Sequence, residues 1–259
     1  MIEVHNLTFG YSSTEDGQIL KGVDFAAKTG KLTALIGTNG AGKSTLLKTI
    51  MGILKGKGEI SVNGKPVSQY STKDFSSTVS YLSQDNDCKV NLSVFEVVML
   101  GRMGSMSFRV SDEDIAATQE VLERLNLQGF ASRSIMELSG GQRQLVFMAQ
   151  ALVKEPKILI LDEPTSALDL HKQFDLLTLL KNLTQENDFT TLVTLHHLDL
   201  AAMFADEIIV LKEGRVYAQG APKDIFTEAM MEDVYRVKTK IYIDDNGLPH
   251  VIPLEAIIN

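Results

Sequence analysis

Residues 33 to 49 read Thr-Ala-Leu-Ile-Gly-Thr-Asn-Gly-Ala-Gly-Lys-Ser-Thr-Leu-Leu-Lys-Thr, and this stretch decides the fold. An apolar run ends at Gly37 and a helical pattern begins after Gly42, followed at once by Lys43 and Ser44, which completes the pattern G-x-x-x-x-G-K-[ST]. The glycines let successive backbone N–H groups face one anion, and the helix start adds its positive dipole end. In this motif the lysine reaches the β- and γ-phosphates and the hydroxyl binds Mg²⁺. The stretch therefore predicts a phosphate-binding loop between a strand and a helix.

The composition is that of an ordinary globular chain. Of 259 residues, 44% are hydrophobic and 22% are charged, and the net charge of −8 is a poor match to a nucleic-acid backbone. No run approaches the roughly 18 apolar residues of a membrane span, and the N-terminus lacks the features of a signal peptide. The single cysteine, Cys88, allows no disulfide within the chain. We therefore expect a soluble intracellular domain, with any membrane role supplied by a partner.

The apolar patterns change along the chain. In the first part of the chain the apolar pattern predicts mainly strands, and Asn63-Gly64 predicts a hairpin turn. Ser93–Glu96 has the form of a capping box and Ser111–Asp114 offers a second helix start. Strand and helix patterns then alternate, which predicts a parallel sheet with right-handed crossovers. The predicted parts are a nucleotide-binding α/β core with a β subdomain (1–84 and 151–220), an inserted helical subdomain (85–150), and a C-terminal helix and hairpin (221–259).

A second signal lies 115 residues beyond the lysine of the phosphate loop, where the apolar run Ile158–Leu161 is followed by Asp162 and Glu163. Adjacent carboxylates at the end of a buried strand are costly unless they meet a cation or a reactant. Ligands of open α/β sheets bind at the carboxyl ends of the strands. Asp162 therefore suits the coordination shell of Mg²⁺, and Glu163 could polarise the water that attacks the γ-phosphate.

A third signal is the stretch Leu138-Ser-Gly-Gly-Gln142, which opens a predicted helix. Ser139 is a natural N-cap, and Gly140 and Gly141 leave backbone N–H groups bare at a positive helix end. This predicts a second anion site. Because it belongs to the predicted helical subdomain, we expect a second copy of the chain to bring it to the phosphate loop.

In their order along the chain, these stretches resemble the motifs of the ATP-binding cassette (ABC) ATPases. The matching stretches are Gly37–Thr45, Gln84, Leu138–Gln142, Leu161–Pro164, Ser166–Asp169 and His196. The resemblance covers essentially the whole chain. It implies an α/β fold with a RecA-like P-loop NTPase core, an N-terminal antiparallel β subdomain and an inserted α-helical subdomain. It also implies a head-to-tail homodimer with two ATP molecules, each between the phosphate loop of one subunit and the Leu-Ser-Gly-Gly-Gln stretch of the other.

The resemblance implies a role for each matching residue. Glu163 matches the catalytic base, Gln84 the glutamine that reaches Mg²⁺ and the attacking water while sensing the permease, and His196 the switch histidine that contacts the γ-phosphate. The residue after His196 is His197, where many relatives carry aspartate. The ATP-binding set is Tyr11 (stacked on adenine), Gly37, Asn39, Gly40, Ala41, Gly42, Lys43, Ser44, Thr45, Ser139, Gly140, Gly141, Gln142 and Asp169 (which communicates across the dimer). The Mg²⁺ set is Ser44, Gln84 and Asp162.

Two segments narrow the resemblance to one subfamily of the ABC ATPases. Residues 93 to 102, ending in Leu100-Gly101-Arg102, and the tail that contains Gln219–Pro222 are similar to importer ATPases for ferric siderophores, haem and cobalamin. Met103-Gly104 departs from the aromatic residue or proline that often follows in those relatives. This resemblance implies an ATPase subunit at the cytoplasmic face of the membrane, bound to integral-membrane permease subunits and served indirectly by a substrate-binding protein. The alternatives are an ABC ATPase of another transporter class (amino acid, phosphate, metal ion or export) or a soluble ABC ATPase of repair or translation.

Overall fold

The computed structural model describes residues 1–12, 17–84, 91–103 and 110–258. Cys88, Gly104 and most of the polar loop after Tyr11 lie outside the described residues. The strands are β1 (Ile2–Gly10), β2 (Gln18–Ala27), β3 (Lys31–Ile36), β4 (Lys57–Val62), β5 (Lys65–Pro66), β6 (Val79–Leu82), β7 (Ile158–Leu161), β8 (Thr190–Thr194), β9 (Glu207–Lys212), β10 (Arg215–Gly220), β11 (Val237–Ile243) and β12 (Pro249–Ala256).

The helices are α1 (Lys43–Ile50), α2 (Thr72–Thr78), α3 (Val94–Met99), α4 (Asp112–Arg124), α5 (Gly140–Leu152), α6 (Leu170–Glu186), α7 (Leu198–Phe204), α8 (Pro222–Ile225) and α9 (Glu228–Met230). Single 3₁₀ turns occur at Val67–Gln69, Leu100–Arg102, Gln128–Phe130 and Ile135–Glu137, and a π-helical turn at Met231–Tyr235. In the part of the chain that the structure describes, no helix is long and apolar enough to cross a lipid bilayer.

The chain packs into two compact units. The first unit combines Met1–Gln69 with Leu177–Asn259, and the second is Tyr70–Leu176. Helix α6 contributes residues to both units.

An antiparallel sheet opens the first unit, with strand order β2-β1-β4-β5. Its buried side chains include Ile2, Val4 and Leu7 of β1. Asn63 and Gly64 form the two-residue turn between β4 and β5, and both have positive φ (51° and 75°), as a type I′ turn requires. The predicted hairpin turn and the predicted N-terminal antiparallel subdomain are confirmed.

The first unit also contains the strands around the phosphate loop. Strand β3 lies between β8 and β9 and is parallel to both, and β10 pairs with β9 in antiparallel fashion. All residues of β3 after Lys31 are buried, as expected for a parallel strand covered on both faces. The predicted parallel sheet is confirmed, and its central strand delivers the chain directly into the phosphate loop.

The C-terminal tail of the first unit runs through α8, α9 and the π-helical turn into an antiparallel hairpin of β11 and β12. The hairpin turn is stabilised by Asp244, whose carboxylate accepts from the backbone N–H groups of Asn246 and Leu248 at 2.9 Å each. The predicted short helix and hairpin are confirmed.

In the second unit a parallel pair, β6 and β7, accompanies the helices α2 to α5. Ser93 and Ser111 each form a capping box, with Glu96 and Asp114 respectively, so both predicted helix starts are confirmed. Asp114 also accepts from Arg102 Nε at 2.6 Å. The bond from Arg102 and, to a smaller extent, the bonds from Ser111 lower the pKa of Asp114 to about 2.

Candidate active site

The phosphate loop follows β3 and ends in α1. Gly37 has φ of 148°, and a Cβ placed there would lie 2.2 Å from the backbone oxygen of Leu211, so only glycine fits. The other end of the loop is held by the β9–β10 turn, where the Gly214 N–H donates to the Ala41 oxygen at 3.1 Å. Of the loop residues, Gly37, Ala41, Gly42 and Lys43 are buried, whereas Asn39 and Gly40 are exposed. Contacts within the first unit thus fix both ends of the loop and leave its tip open.

Lys43 is the cation of the loop. It is the first residue of α1 and is buried, and its Nζ donates to the backbone oxygens of Gly37 at 2.7 Å and Thr38 at 3.1 Å. The ammonium group is therefore folded back over its own loop. Ser44 and Thr45 follow in the first turn of α1 and are partly exposed. Gly42 occupies the N-cap and offers no side chain, so no side chain caps the backbone N–H groups of this helix start.

The two adjacent carboxylates, Asp162 and Glu163, follow β7 in the second unit. Asp162 is 1% exposed, and its backbone N–H donates to Leu82 at the end of β6. Glu163 has φ of 52°, in the left-handed region that non-glycine residues seldom adopt and that is often found at functional sites. Gln84 Nε2 donates to Glu163 Oε2 at 2.7 Å. Two predicted site residues that are 79 positions apart in sequence are thus in direct contact.

The Leu138–Gln142 stretch begins α5 as predicted. Ser139 Oγ accepts from the Gln142 N–H at 3.3 Å, and Gln142 Oε1 accepts from the Ser139 N–H at 3.0 Å. This reciprocal capping box uses both side chains within the second unit. A Cβ on Gly140 would meet nothing within 4 Å, whereas a Cβ on Gly141 would lie 2.9 Å from the Ala167 oxygen. Gly140 is exposed at the helix start, and Gly141 packs against the loop before α6.

The remaining predicted site residues lie at exposed positions. Tyr11 is 72% exposed and contacts the Phe9 ring edge-on, with ring centroids 5.1 Å apart. His196 follows β8 and is exposed, and His197 occupies the N-cap of α7. Asp169 caps α6, where its carboxylate accepts from the Lys172 N–H at 3.0 Å, and this bond lowers the pKa of Asp169. The assignment of these residues to ATP remains a prediction.

Sequence reasoning missed the residues outside the phosphate loop that contact it and fix its position. Gly214 and Leu211 belong to the β9–β10 hairpin, where Gly214 donates to Ala41 and the Leu211 backbone packs against Gly37. No spacing rule relates these residues to the loop. The one available signal was the pair Glu213-Gly214, which indicates a tight turn but not what the turn contacts.

These groups match the chemistry of phosphoryl transfer. The loop supplies a lysine and a helix start for phosphate oxygens. Oxygen donors of the kinds that Mg²⁺ prefers are present in the hydroxyl of Ser44, the carboxylate of Asp162 and the amide of Gln84. A glutamate beside that amide can act as a general base.

The chain was compared with known protein families and structures. The model of the ABC transporter family matches residues 20–166. An iron(3+)-hydroxamate import ATP-binding protein from Bacillus subtilis is 37% identical over 246 residues, which cover 94% of this chain and 90% of the relative.

Two solved structures are also similar. A metal-chelate type ABC transporter in an inward-facing conformation superimposes with a TM-score of 0.83 and 29% identity, over 98% of this chain and 97% of that one. The dimeric structure of a post-hydrolysis state of an ATP-binding cassette, bound to ADP and Pi, gives a TM-score of 0.77 and 29% identity over 86% and 99% of the two chains.

Proposed function

The chain belongs to the ABC transporter family of ATP-binding proteins and is an ATPase, and from this premise we propose that it powers an importer of iron chelates (siderophore or haem) or of cobalamin. The main support for import of this class of compound is the 37% identity to an iron(3+)-hydroxamate import protein over nearly all of both chains. The full-length similarity to a metal-chelate type transporter supports the same class.

ATP binds at the phosphate loop in this proposal. The γ-phosphate is a stronger acceptor for Lys43 than the two carbonyl oxygens it now contacts, because it carries charge. The backbone N–H groups at the start of α1 face the other phosphate oxygens. The exposed ring of Tyr11 supplies a stacking surface for adenine.

Mg²⁺ would be held by Ser44, Asp162 and Gln84. The donor set consists of oxygen atoms, which suits a hard cation. When bound, the ion neutralises charge on the β- and γ-phosphates.

Glu163 is the proposed general base for hydrolysis. Its carboxylate accepts a proton from water as the water oxygen attacks the γ-phosphorus, and the bond to the β-phosphate oxygen breaks to release ADP and phosphate. Gln84 donates to Oε2 of this carboxylate at 2.7 Å, which orients the carboxylate. His196 is proposed to contact the γ-phosphate and stabilise charge there.

Two copies of the chain complete each site in this proposal. The exposed start of α5, with Ser139 and Gly140, approaches the γ-phosphate bound by the other copy. ATP then favours the closed dimer and the products do not, so hydrolysis drives reopening. The similarity to a dimeric cassette with ADP and Pi supports this arrangement.

The permease is proposed to bind the second unit. Leu100, Met103, Val110 and Ile115 are large apolar side chains of this unit that are exposed to solvent. Exposed apolar surface of this kind often marks a protein interface. We therefore place the chain at the cytoplasmic face of the membrane, attached through permease subunits, with a substrate-binding protein acting upstream.

The substitution Glu163→Gln tests the mechanism. Glutamine keeps an oxygen that can accept from Gln84 but cannot take a proton, so turnover should fall by about 10²- to 10⁴-fold while ATP binding persists. Size-exclusion chromatography with ATP and Mg²⁺ should show a stable dimer of this variant. Lys43→Ala is the control and should show neither binding nor dimer. Wild-type turnover by the glutamine variant would refute the assignment of the base.

Uptake measurements test which class of compound the transporter imports. Cells of the source organism that lack this gene should lose uptake of one labelled compound among a ferric siderophore, haem and cobalamin. The wild-type gene should restore uptake, and the Glu163→Gln gene should not. Normal uptake of all three compounds would refute the proposed import class. Copurification tests the permease assignment separately: a protein with several membrane spans should copurify with the chain if that assignment is correct.

A further inference from the structure

A polar side chain occupies a core position of α6. Gln173 is 8% exposed, and at helical spacing it shares a face with Leu176, Leu177 and Leu180, which are all buried. A glutamine in this setting is costly unless its amide is hydrogen-bonded. Because apolar residues fill the rest of this face, packing alone does not explain an amide here, and its hydrogen-bond partners indicate what it does.

The amide of Gln173 holds the turn that precedes α6, which we call the Thr165–Leu168 turn. Gln173 Nε2 donates to the backbone oxygen of Leu168 at 3.0 Å and to that of Thr165 at 3.2 Å, which uses both N–H groups of the amide. The Leu168 N–H also donates to the Thr165 oxygen, at 3.2 Å. Thr165 and Leu168 are both buried, where unpaired carbonyl groups are costly. One side chain of α6 thus fixes the shape of this turn.

One end of the Thr165–Leu168 turn contacts Glu163, the proposed base. The Ser166 N–H and Oγ donate to the backbone oxygen of Glu163 at 3.2 and 3.0 Å. The left-handed backbone of Glu163, with φ of 52°, persists only where its surroundings hold it. The two bonds from Ser166 are part of those surroundings, so the orientation of Glu163 depends on the position of the turn.

The other end of the Thr165–Leu168 turn contacts the start of α5. A Cβ on Gly141 would lie 2.9 Å from the Ala167 oxygen and 3.2 Å from Leu168 Cδ2, so the helix start and the turn are closely packed. Ser139 and Gly140, which are proposed to approach the ATP of the other copy, directly precede Gly141. A shift of the turn would therefore disturb both the proposed base and this helix start.

We propose that Gln173 is a positioning residue for ATP hydrolysis. Through the Thr165–Leu168 turn it keeps Glu163 and the start of α5 in the relative positions that hydrolysis requires. Glu163 acts on the ATP bound by its own copy of the chain and the start of α5 on the ATP bound by the other copy, so the turn links two reaction sites. This inference rests on the proposed function. Gln173 itself touches no reacting atom.

The test is Gln173→Met, which keeps an unbranched side chain of similar volume and removes both donors. In ATPase assays kcat should fall by about 10- to 100-fold, since a displacement of about 1 Å near the reacting groups costs up to about 10²-fold. The Kd for a fluorescent, non-hydrolysable ATP analogue should stay within about twofold of wild type, because the phosphate loop keeps its own contacts. Wild-type kcat in Gln173→Met, measured well below its Tm, would overturn the inference.

Thr184→Val is the matched control near the other end of α6. It removes a buried hydroxyl that donates to the Leu180 oxygen at 2.6 Å. Both Thr184→Val and Gln173→Met should lower Tm, but Thr184→Val should leave kcat unchanged. An equal fall of kcat in Thr184→Val would show that general loosening of α6 explains the loss, and would refute the role of Gln173.

A second variant keeps the test decisive if Gln173→Met yields too little folded protein. Gln173→Asn retains the amide on a side chain that is one methylene shorter and cannot reach both carbonyl oxygens, so kcat should fall by about three- to tenfold, the range for one lost hydrogen bond. In hydrogen-exchange mass spectrometry the amides of the Thr165–Leu168 turn should exchange faster than in wild type, while those of α4 stay unchanged. Wild-type kcat, or wild-type exchange in the turn, would count against the proposal.

Glu163→Gln separates this inference from the proposed function. If Glu163→Gln hydrolyses ATP at the wild-type rate, the proposed base is wrong and the role of Gln173 fails with it. If Glu163→Gln loses turnover while Gln173→Met keeps it, only the role of Gln173 is refuted.

Discussion

Two adjacent glycines at the start of α5 should respond oppositely to the same added methyl group. A Cβ on Gly141 would lie 2.9 Å from the Ala167 oxygen and 3.2 Å from Leu168 Cδ2, against ordinary contacts of 3.4 to 4 Å. The loop before α6 would have to move by about half an ångström, which costs about 1–3 kcal/mol as overpacking. A Cβ on Gly140 would meet nothing within 4 Å.

The expected changes in stability follow from these contacts. Alanine in place of glycine reduces the entropy of the unfolded chain and stabilises the fold by about 0.4–1 kcal/mol where the backbone permits it. Gly140→Ala should therefore keep or raise Tm, by up to about 4 °C, and Gly141→Ala should lower it by about 2–12 °C, at about 2–4 °C for each kcal/mol in a chain of this size. Differential scanning fluorimetry of the chain without nucleotide measures both values.

The expected changes in activity depend on the second copy of the chain. If the exposed helix start approaches the phosphate bound by the other copy, the Gly140 methyl group separates the two. ATP hydrolysis should then fall by about 10²- to 10³-fold, as when a donor to the reacting group is lost, although the fold is intact. Full activity in Gly140→Ala would refute the approach of this helix start to the partner's nucleotide. An unchanged Tm in Gly141→Ala would refute the contact with the loop.

Three further substitutions test other contacts. Gln84→Ala removes the donor to Glu163, so kcat should fall more than the affinity for ATP in steady-state and binding assays. The depressed pKa of Asp114 adds stability that is present above about pH 4 and is lost as the pH falls towards 2, so Asp114→Asn should flatten the pH dependence of Tm in that window. Ser80→Ala removes a buried 2.6 Å bond to the Ala151 oxygen and should cost about 1–3 kcal/mol in urea unfolding, with unchanged KM.

Local patterns predicted much of the fold. The phosphate loop, the capping boxes at Ser93 and Ser111 and the Asn63-Gly64 turn depend on residues within a few positions of one another, so their spacing carries the structural information. The parallel arrangement around β3 was also predictable, because alternation of buried strands and helices leaves few other topologies. Helix α2 was not predicted, since Thr72–Thr78 is mostly exposed and has no apolar stripe.

Contacts between distant residues were beyond sequence reasoning. The bond between Gln84 and Glu163 joins positions 79 residues apart, and no periodicity or composition reports it. Motifs thus predicted the reacting groups, while the contact between Gln84 and Glu163 became visible only in the folded chain.

The two helix starts that are proposed to bind phosphate differ in the contacts that fix them. The phosphate loop is buried at both ends and fixed by contacts with Leu211 and Gly214, so its shape is set within one copy of the chain. The start of α5 is exposed, and its Ser139 and Gln142 side chains already satisfy each other, which leaves backbone N–H groups as its donors. In the proposed mechanism the preorganised loop binds nucleotide within one copy, whereas the exposed donors of α5 contribute when a second copy presents them. Binding would then be the property of one subunit and hydrolysis the property of a pair, which is the separation that a transport cycle needs.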